Sequence, residues 1–234
     1  CPSEVSITLG DWTRSRPVHP AETAFDGKRV LITLSKDNDL AWMRDWVRWH
    51  VHHHGVDGVI LVDNGSRAYT PEAILGAISV PGITATRVLR TTLPYGPRAK
   101  KPYANGEVYL QFCVLNALRH RYLAQARGVL NCDIDELVAS PGRSIFDLAR
   151  AHPLGFVSFP GIWAYPDADQ PGPFGHGDHL YTSDHTQPCP HKWCIIPTRA
   201  MRRFDWRQHH LEGLPIQWPF ESRAAWFYHC RTIS

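Results

Sequence analysis

Two aspartates follow an apolar run in the stretch RGVLNCDIDELV, residues 127–138, and they are the residues best placed to do chemistry. The run has the composition of a buried strand, and a bare carboxylate costs several kcal/mol to bury. Asp133 and Asp135 are also like charges separated by one residue, so each disfavours the ionised form of the other. A cation would stabilise the pair, and carboxylate oxygens favour Mg²⁺ or Mn²⁺ over zinc. The pattern therefore predicts a divalent metal site held by Asp133 and Asp135.

Short apolar runs alternate with amphipathic helical patterns along the first part of the chain. Strands are expected over residues 30–34, 59–62, 83–90 and 128–132. Helices are expected over residues 39–54, 70–78 and 104–126. Strands separated by helices produce a largely parallel sheet with helices on both faces. The predicted fold class is therefore α/β, followed by an irregular half rich in Pro, Gly, His and aromatic residues, with strands at 156–159 and 193–196.

Ligands of open α/β sheets bind outside the carboxyl ends of the strands, and polar side chains follow each predicted strand at that edge. A carboxylate or an amide can take a base or a ribose there, a divalent ion can bridge a diphosphate, and Lys or Arg neutralises the remaining charge. This set predicts a nucleotide as the ligand. The candidate nucleotide-binding residues are Ser35, Lys36, Asp63, Asn64, Arg98, Lys100 and Asp133.

Two of these residues keep a second interpretation. Asp63 stands in the sequence Asp-Asn-Gly-Ser, which is strong turn chemistry, so it can be only a turn former. Lys100 lies in the cluster PRAKK and can belong to an ordinary solvated surface.

An ordered series of motifs accompanies these strand ends. The motifs are Trp49-His50, Gly55-Val56-Asp57, Asp63-Asn64-Gly65-Ser66, Asp133-Ile134-Asp135-Glu136, KWCIIP at Lys192–Pro197, His209-His210, and HCRTIS at His229–Ser234. With this series the sequence resembles a glycosyltransferase of the GT-A fold, in the branch that contains families 2 and 92, the latter formerly DUF23. The resemblance runs from about Lys28 to Ser234.

The resemblance implies a GT-A, Rossmann-like sheet and a metal-dependent, inverting transfer of a sugar from a nucleoside diphosphate to a hydroxyl acceptor in glycan or polysaccharide assembly. It implies that Asp63 contacts the nucleoside, that Asp133 contacts the ribose or the metal, and that Asp135 binds the metal. His229 is a candidate third ligand or a contact of the diphosphate. The expected cofactor is Mn²⁺ or Mg²⁺, and UDP is expected before GDP as the nucleotide.

Direct displacement at the anomeric carbon needs a base that deprotonates the acceptor hydroxyl. The first candidate is Asp178 in the sequence GHGDH, followed by Glu136 and Glu221. The family motifs do not fix this residue.

Composition limits the other functions. The chain has 234 residues, 43% of them hydrophobic and 20% charged, with a formal net charge of +3, which is too small to indicate a nucleic-acid partner. No run of 18 apolar residues predicts a membrane span. Six irregularly spaced cysteines favour a reduced, cytoplasmic protein, although a Golgi lumen is also compatible. Residues 1–27 are expected to be an irregular lead-in to one domain, 28–234, with a nucleotide-sugar half of about 28–140 and an acceptor half of about 141–234.

Other interpretations concern single motifs and the whole protein. His50 and His54 have zinc-ligand spacing, but His50 falls on the apolar stripe of its helix and His52–His54 on an exposed end, which favours a structural role. A phosphatase with paired aspartates is disfavoured, because its pair would end the first strand and not the fourth. A non-catalytic nucleotide-binding or carbohydrate-binding module on the same fold is the alternative function.

Overall fold

The computed structural model describes residues 3–96, 109–167, 169, 171–183 and 189–231. Arg98 and Lys100, two of the candidate nucleotide contacts, lie outside these residues. The strands are β1 (Glu4–Leu9), β2 (Trp12–Pro17), β3 (Arg29–Ser35), β4 (Gly58–Asp63), β5 (Ala85–Arg90), β6 (Gly128–Asn131), β7 (Glu136–Ala139), β8 (Phe156–Phe159), β9 (Gly161–Tyr165), β10 (Tyr181–Thr182), β11 (Lys192–Ile195), β12 (Asp205–Trp206), β13 (Leu211–Glu212) and β14 (Trp226–Cys230). The α-helices are α1 (Leu40–His54), α2 (Pro71–Ile78), α3 (Tyr109–Arg121) and α4 (Ile145–Ala151).

A six-stranded sheet forms the centre of the protein, in the order β5-β4-β3-β6-β11-β8. Strands β3 to β6 run parallel, whereas β11 is antiparallel to both of its neighbours. The predicted α/β class with a mostly parallel central sheet is confirmed. The four strands predicted in the first half lie within two residues of the observed strands.

Both faces of the central sheet are covered, which is why its strands are continuous apolar runs and do not alternate. On one face, Leu31 and Leu61 pack in a core with side chains of α1, α2 and α4. On the other face, Ile32 and Ile60 pack with side chains of α3. The carboxyl ends of the parallel strands are thereby left as the open edge of a rigid layer.

Helix α1 begins and ends at residues that satisfy its terminal backbone groups. The Asp39 carboxylate accepts a hydrogen bond from the Ala41 N–H at 2.6 Å, which is a standard N-cap contact. Gly55 ends the helix in the left-handed region, with φ of 63°, where a residue without Cβ costs least. These caps agree with the helix predicted over residues 39–54.

Two histidines of α1 tie the helix to β7. His50 Nε2 accepts a hydrogen bond from the Val138 N–H at 3.3 Å, and His54 Nε2 donates one to the Val138 carbonyl at 2.9 Å. The structural interpretation of His50 agrees with these contacts. The placement of His54 at an exposed helix end was wrong, because its side chain turns back onto β7 and is only 1% exposed.

A second, four-stranded sheet lies beside the first, in the order β10-β9-β14-β7. Sequence patterns predicted neither this sheet nor the hairpin of β1 and β2. The expectation of an irregular lead-in over residues 1–27 is wrong for residues 4–17, because β1 and β2 pair along six residues each. Among the described residues, no helix is both long and apolar enough to cross a membrane.

Candidate metal and nucleotide site

The two aspartates of the central motif lie in the connection between the two sheets. Strand β6 ends at Asn131, and β7 begins at Glu136 in the second sheet. Between them the Ile134 side chain enters the core, while its carbonyl accepts a hydrogen bond from His176 Nε2 at 2.7 Å. Burying Ile134 fixes the connection and leaves Asp133 and Asp135 at the carboxyl edge of the sheet.

A buried lysine meets Asp133 from the neighbouring strand. Lys192 begins β11, and its side chain is 0% exposed. Its Nζ lies 2.5 Å from Asp133 Oδ2 and 3.1 Å from Glu136 Oε2. Burial alone would lower the pKa of Lys192, but the carboxylates of Asp133 and Glu136 outweigh burial and raise this pKa. The lysine is therefore charged, and it neutralises part of the acidic cluster.

Glu136 is the most deeply buried acid of this cluster. Its Oε2 also accepts a hydrogen bond from the Asp133 N–H at 2.7 Å, which closes the turn between the two sheets. Burial raises the pKa of Glu136 to about 7, against the opposing effect of Lys192. Oε2 of Glu136, a candidate base, therefore has two partners, the Lys192 ammonium and the Asp133 N–H.

Pairing of β14 with β7 places His229 opposite Glu136 and brings its Nε2 to 3.0 Å from Asp135 Oδ2. The Trp163 ring stacks on the imidazole, with ring centroids 4.2 Å apart. Burial tends to lower the pKa of His229, but the hydrogen bond with Asp135 and the nearby carboxylates raise it to about 10. Without a metal, His229 is therefore an imidazolium that pairs with Asp135.

The geometry suits a divalent ion. Asp135, Glu136 and His229 each offer a ligand atom, and these atoms lie within 4.8 Å of one another. Carboxylate oxygens with one imidazole are a donor set that Mn²⁺ accepts. Of the predicted ligands, the structure brings Asp135 and His229 together and adds Glu136, whereas Oδ2 of Asp133 is occupied by Lys192 and by Gln208 Nε2 at 3.2 Å.

Two adjoining cavities extend from these acids along the edge of the sheet. The first has a volume of about 220 Å³ and the second about 530 Å³, and both are lined by Tyr95. The first is lined by Leu34, Asn38, Tyr95, Gln111, Asp133, Ile134, Asp135 and Gln208. The second is lined by Lys36, Asn64, Gly65, Arg67, Arg90, Thr92, Leu93, Pro94 and Tyr95. The candidate residues Lys36, Asn64 and Asp133 thus line two neighbouring cavities that share the Tyr95 side chain.

Asp63 and Ser35 lie just beneath these cavities, at the ends of β4 and β3. Asp63 Oδ1 accepts a hydrogen bond from the Ser66 N–H at 2.9 Å, which is the turn-forming role. Its Oδ2 is buried without a hydrogen bond among the described residues and lies 3.5 Å from Arg90 Nε. Ser35 is buried, and its Oγ accepts a hydrogen bond from Asn38 Nδ2 at 2.9 Å.

Asp37, which the sequence patterns did not single out, joins the loops after β3 and β4. Its Oδ1 accepts hydrogen bonds from the Arg67 and Ala68 N–H groups at 2.7 and 3.2 Å. These bonds lower the pKa of the exposed Asp37 carboxyl. A left-handed φ of 54° in a non-glycine residue is the local signal, and it is visible only in the structure.

The three candidate bases have different surroundings. Asp178 Oδ2 accepts a hydrogen bond from the Gly175 N–H at 2.7 Å and so caps its own turn. Glu136 is paired with Lys192. Glu221 lies 3.6 Å from His191 Nε2 in a cavity of about 490 Å³, which His209 and His210 also line. Glu221 is thus the candidate with an open cavity beside it.

No protein-family model and no curated protein matches the chain. Among solved structures, the mannosyltransferase PcManGT from Pyrobaculum calidifontis, in complex with GDP-Man and Mn²⁺, is similar with a TM-score of 0.40 and 17% identity over 76% of this chain and 47% of that one. GalNAc-T7 with UDP, GalNAc and Mn²⁺ is similar with a TM-score of 0.47 and 10% identity over 89% of this chain and 44% of that one. The chain spans less than half the length of either structure. Both are distant, and the proposals below depend on the chain's own residues.

Proposed function

We propose that the chain is a metal-dependent glycosyltransferase, which moves a sugar from a nucleoside diphosphate to a hydroxyl acceptor in glycan or polysaccharide assembly. The observation that carries the proposal is the cluster of Asp135, Glu136 and His229 at the carboxyl edge of a parallel sheet. Asp135 also lines the first of the two cavities that share Tyr95. Ligand sites of open α/β sheets lie at this edge. The series of motifs that resembles GT-A families 2 and 92 supplies the reaction class.

The donor nucleotide would extend along the two cavities that Tyr95 lines. Asp63 would contact the nucleoside once donor binding exposes its Oδ2, which here is buried 3.5 Å from Arg90 Nε. The second cavity has Lys36 and Arg90 for negative charge. Asp133 would receive ribose hydroxyls at the first cavity. UDP is the first nucleotide to test, and GDP is the second.

Asp135, Glu136 and His229 would hold Mn²⁺ or Mg²⁺, which supplies Lewis-acid stabilisation of the charge that develops on a departing diphosphate. His229 must lose its proton to become a ligand, so ion binding and proton release are coupled.

Glu221 is our candidate for the base. In an inverting transfer the acceptor oxygen attacks the anomeric carbon, the base takes the hydroxyl proton, and the bond from that carbon to the diphosphate oxygen breaks. Glu221 beside the 490 Å³ cavity has room for an acceptor hydroxyl, and the imidazoles of His191 and His209 offer hydrogen bonds to further hydroxyls. Glu221→Gln should lower turnover by about 10²-fold or more and leave the dissociation constant of the donor nucleotide unchanged.

Calorimetric titration tests the donor site. UDP and GDP are titrated into the wild-type protein and into Asp135→Asn, each with and without Mn²⁺. We expect Mn²⁺ to strengthen nucleotide binding about tenfold or more in the wild type and not in the variant. Asp11→Asn in the exposed turn of the first hairpin is the matched control and should behave as the wild type.

Two outcomes would go against the proposal. A folded wild-type protein that binds neither nucleotide with Mn²⁺ has no donor site of this kind. A protein that binds UDP with Mn²⁺, but releases no UDP from any UDP-sugar in the presence of acceptors, is the non-catalytic binding module.

A further inference from the structure

Lys192 is the most buried cation beside the acidic cluster. Its side chain is 0% exposed, and its ammonium contacts Asp133 at 2.5 Å and Glu136 at 3.1 Å. The lysine stands at the first position of β11, the antiparallel strand inserted between β6 and β8. Because β11 runs against β6, the start of β11 meets the end of β6, and the ammonium is carried to the carboxyl edge of the parallel strands.

The contacts leave the two oxygens of Asp133 in different situations. Oδ2 receives Lys192 Nζ and Gln208 Nε2. Oδ1 has no hydrogen bond among the described residues, and the side chain is 27% exposed at the first cavity. One oxygen is therefore anchored, and the carboxylate is oriented with the other available to a ligand.

The contacts also assign Asp133 and the metal ion to different partners. The acids Asp133, Asp135 and Glu136 carry three negative charges when ionised, and Lys192 offsets one of them. Lys192 also contacts Glu136, but the ligand atoms of Asp135, Glu136 and His229 lie within 4.8 Å of one another, in a group to which Asp133 does not belong. The ion is therefore left to Asp135, Glu136 and His229.

We propose that Lys192 is a positioning residue for the donor nucleotide: it holds Asp133 towards the nucleotide cavity and keeps Asp133 out of the metal coordination. This inference rests on the proposed function, because it assigns the role of Asp133 within the donor site. It predicts that removal of the lysine weakens nucleotide binding without weakening Mn²⁺ binding.

The test measures two dissociation constants in each protein. One is the Kd of Mn²⁺ without nucleotide, and the other is the Kd of UDP at saturating Mn²⁺, or of GDP if the wild type binds that nucleotide instead. For Lys192→Met we expect the nucleotide Kd to rise about tenfold or more, while the Mn²⁺ Kd does not rise, because the variant removes a positive charge 3.1 Å from the proposed ligand Glu136. Circular dichroism and thermal unfolding confirm that the variant is folded.

A second pair of proteins covers the case in which Lys192→Met does not fold. In the double variant Lys192→Met with Glu136→Gln, the buried carboxylate that would lose its lysine partner is replaced by a neutral amide. This double variant is compared with Glu136→Gln alone. Both proteins lack the proposed ligand Glu136, so each nucleotide Kd is measured at the Mn²⁺ concentration that saturates that protein. The nucleotide Kd should rise about tenfold from the single to the double variant, and the Mn²⁺ Kd should not rise.

Three results would overturn the inference. Equal nucleotide affinity in the presence and absence of Lys192 means that the lysine does not position Asp133. If a folded variant loses nucleotide affinity and Mn²⁺ affinity to the same extent, the lysine supports the structure of the whole site and does not position Asp133. If the wild type shows no Mn²⁺-dependent nucleotide binding, the proposed function is wrong as well, which separates that failure from the first two.

Discussion

Buried ionisable side chains carry both the candidate site and part of the packing. Lys192, Glu136, His50, His54 and Asp63 are each no more than 2% exposed. A buried polar group is tolerated when its hydrogen-bonding capacity is filled, and the contacts of His50, His54 and Lys192 meet that condition. Asp63 Oδ2 has no hydrogen bond among the described residues but lies 3.5 Å from Arg90 Nε, and we propose the donor nucleoside as its further partner.

The stability of the protein should depend on pH through His54. Burial lowers the pKa of this imidazole from 6.5 to about 4, so the unfolded chain binds more protons than the native one between these values. The free energy of unfolding is therefore fully present above pH 6.5 and falls as the pH drops towards 4, by up to about 3 kcal/mol for this group. Urea unfolding from pH 4 to 8 measures the slope.

His54→Gln is the comparison protein for that experiment. Glutamine can still donate a hydrogen bond to the Val138 carbonyl but does not titrate, so its curve should fall less steeply below pH 6.5 than that of the wild type. Identical slopes would show that His54 has an ordinary pKa in the native protein.

Asp63→Asn separates the turn-forming role of this residue from its nucleotide role. The amide oxygen can still accept the hydrogen bond from the Ser66 N–H, but the buried NH2 group would face Arg90 in place of Oδ2, so the free energy of unfolding should fall by about 1–3 kcal/mol. Loss of the buried anionic oxygen should raise the Kd of the nucleotide about tenfold. Unchanged calorimetric affinity would leave Asp63 as a turn former only.

Among the secondary-structure elements, the sequence predicts best those whose position is set by a single physical rule. Strands β3 and β4 are covered on both faces, so they are continuous apolar runs with polar ends, and their positions were predicted to within one residue. The caps Asp39 and Gly55 likewise marked α1.

The elements that complete the site were harder to predict. β11 was expected as a strand, but neither its antiparallel direction nor the contact of Lys192 with Asp133, 59 residues apart, follows from a local pattern. The available signal was a lysine at the start of an otherwise apolar run, KWCII, where a cation needs a buried partner. β7 and β14 were missed, because β14 pairs with β7 and β9, which are distant in the sequence, and no local pattern indicates that pairing.

Close approach of β9 and β14 gives a prediction for the second sheet. A Cβ on Gly161 would overlap the Phe227 ring and lie 2.5 Å from Cys189 Sγ. Gly161→Ala should therefore lower the free energy of unfolding by about 1–3 kcal/mol. Denaturant unfolding measures the change.

Gly76→Ala is the matched control for that substitution. Gly76 is an exposed residue of α2 with no atom within 4 Å of an added Cβ. Alanine should stabilise this helix by about 0.5–1 kcal/mol. A loss of stability at Gly76 equal to that at Gly161 would contradict the packing argument.

For the whole molecule, the two predicted halves share one sheet. Strands β8 and β11 from residues beyond 140 pair with each other, and β11 also pairs with β6, so a boundary near residue 140 does not separate two folding units. The hairpin of β1 and β2 is different, because both of its strands are almost wholly exposed.

Removal of residues 1–18 should accordingly leave the fold intact. Few apolar side chains of the hairpin are buried, so the free energy of unfolding should change by less than about 1 kcal/mol. Thermal unfolding of the shortened protein beside the full chain measures this. A fall of several degrees in Tm would show that the hairpin packs on the domain.

The 59 residues between Asp133 and Lys192 have a consequence for synthesis. A ribosome delivers the acidic turn first, and its counter-charge leaves the exit tunnel only several seconds later at ordinary elongation rates. Until then the nascent sheet ends in carboxylates that favour hydration over burial. We therefore expect the central sheet to be completed together with the acidic cluster, when β11 enters between β6 and β8.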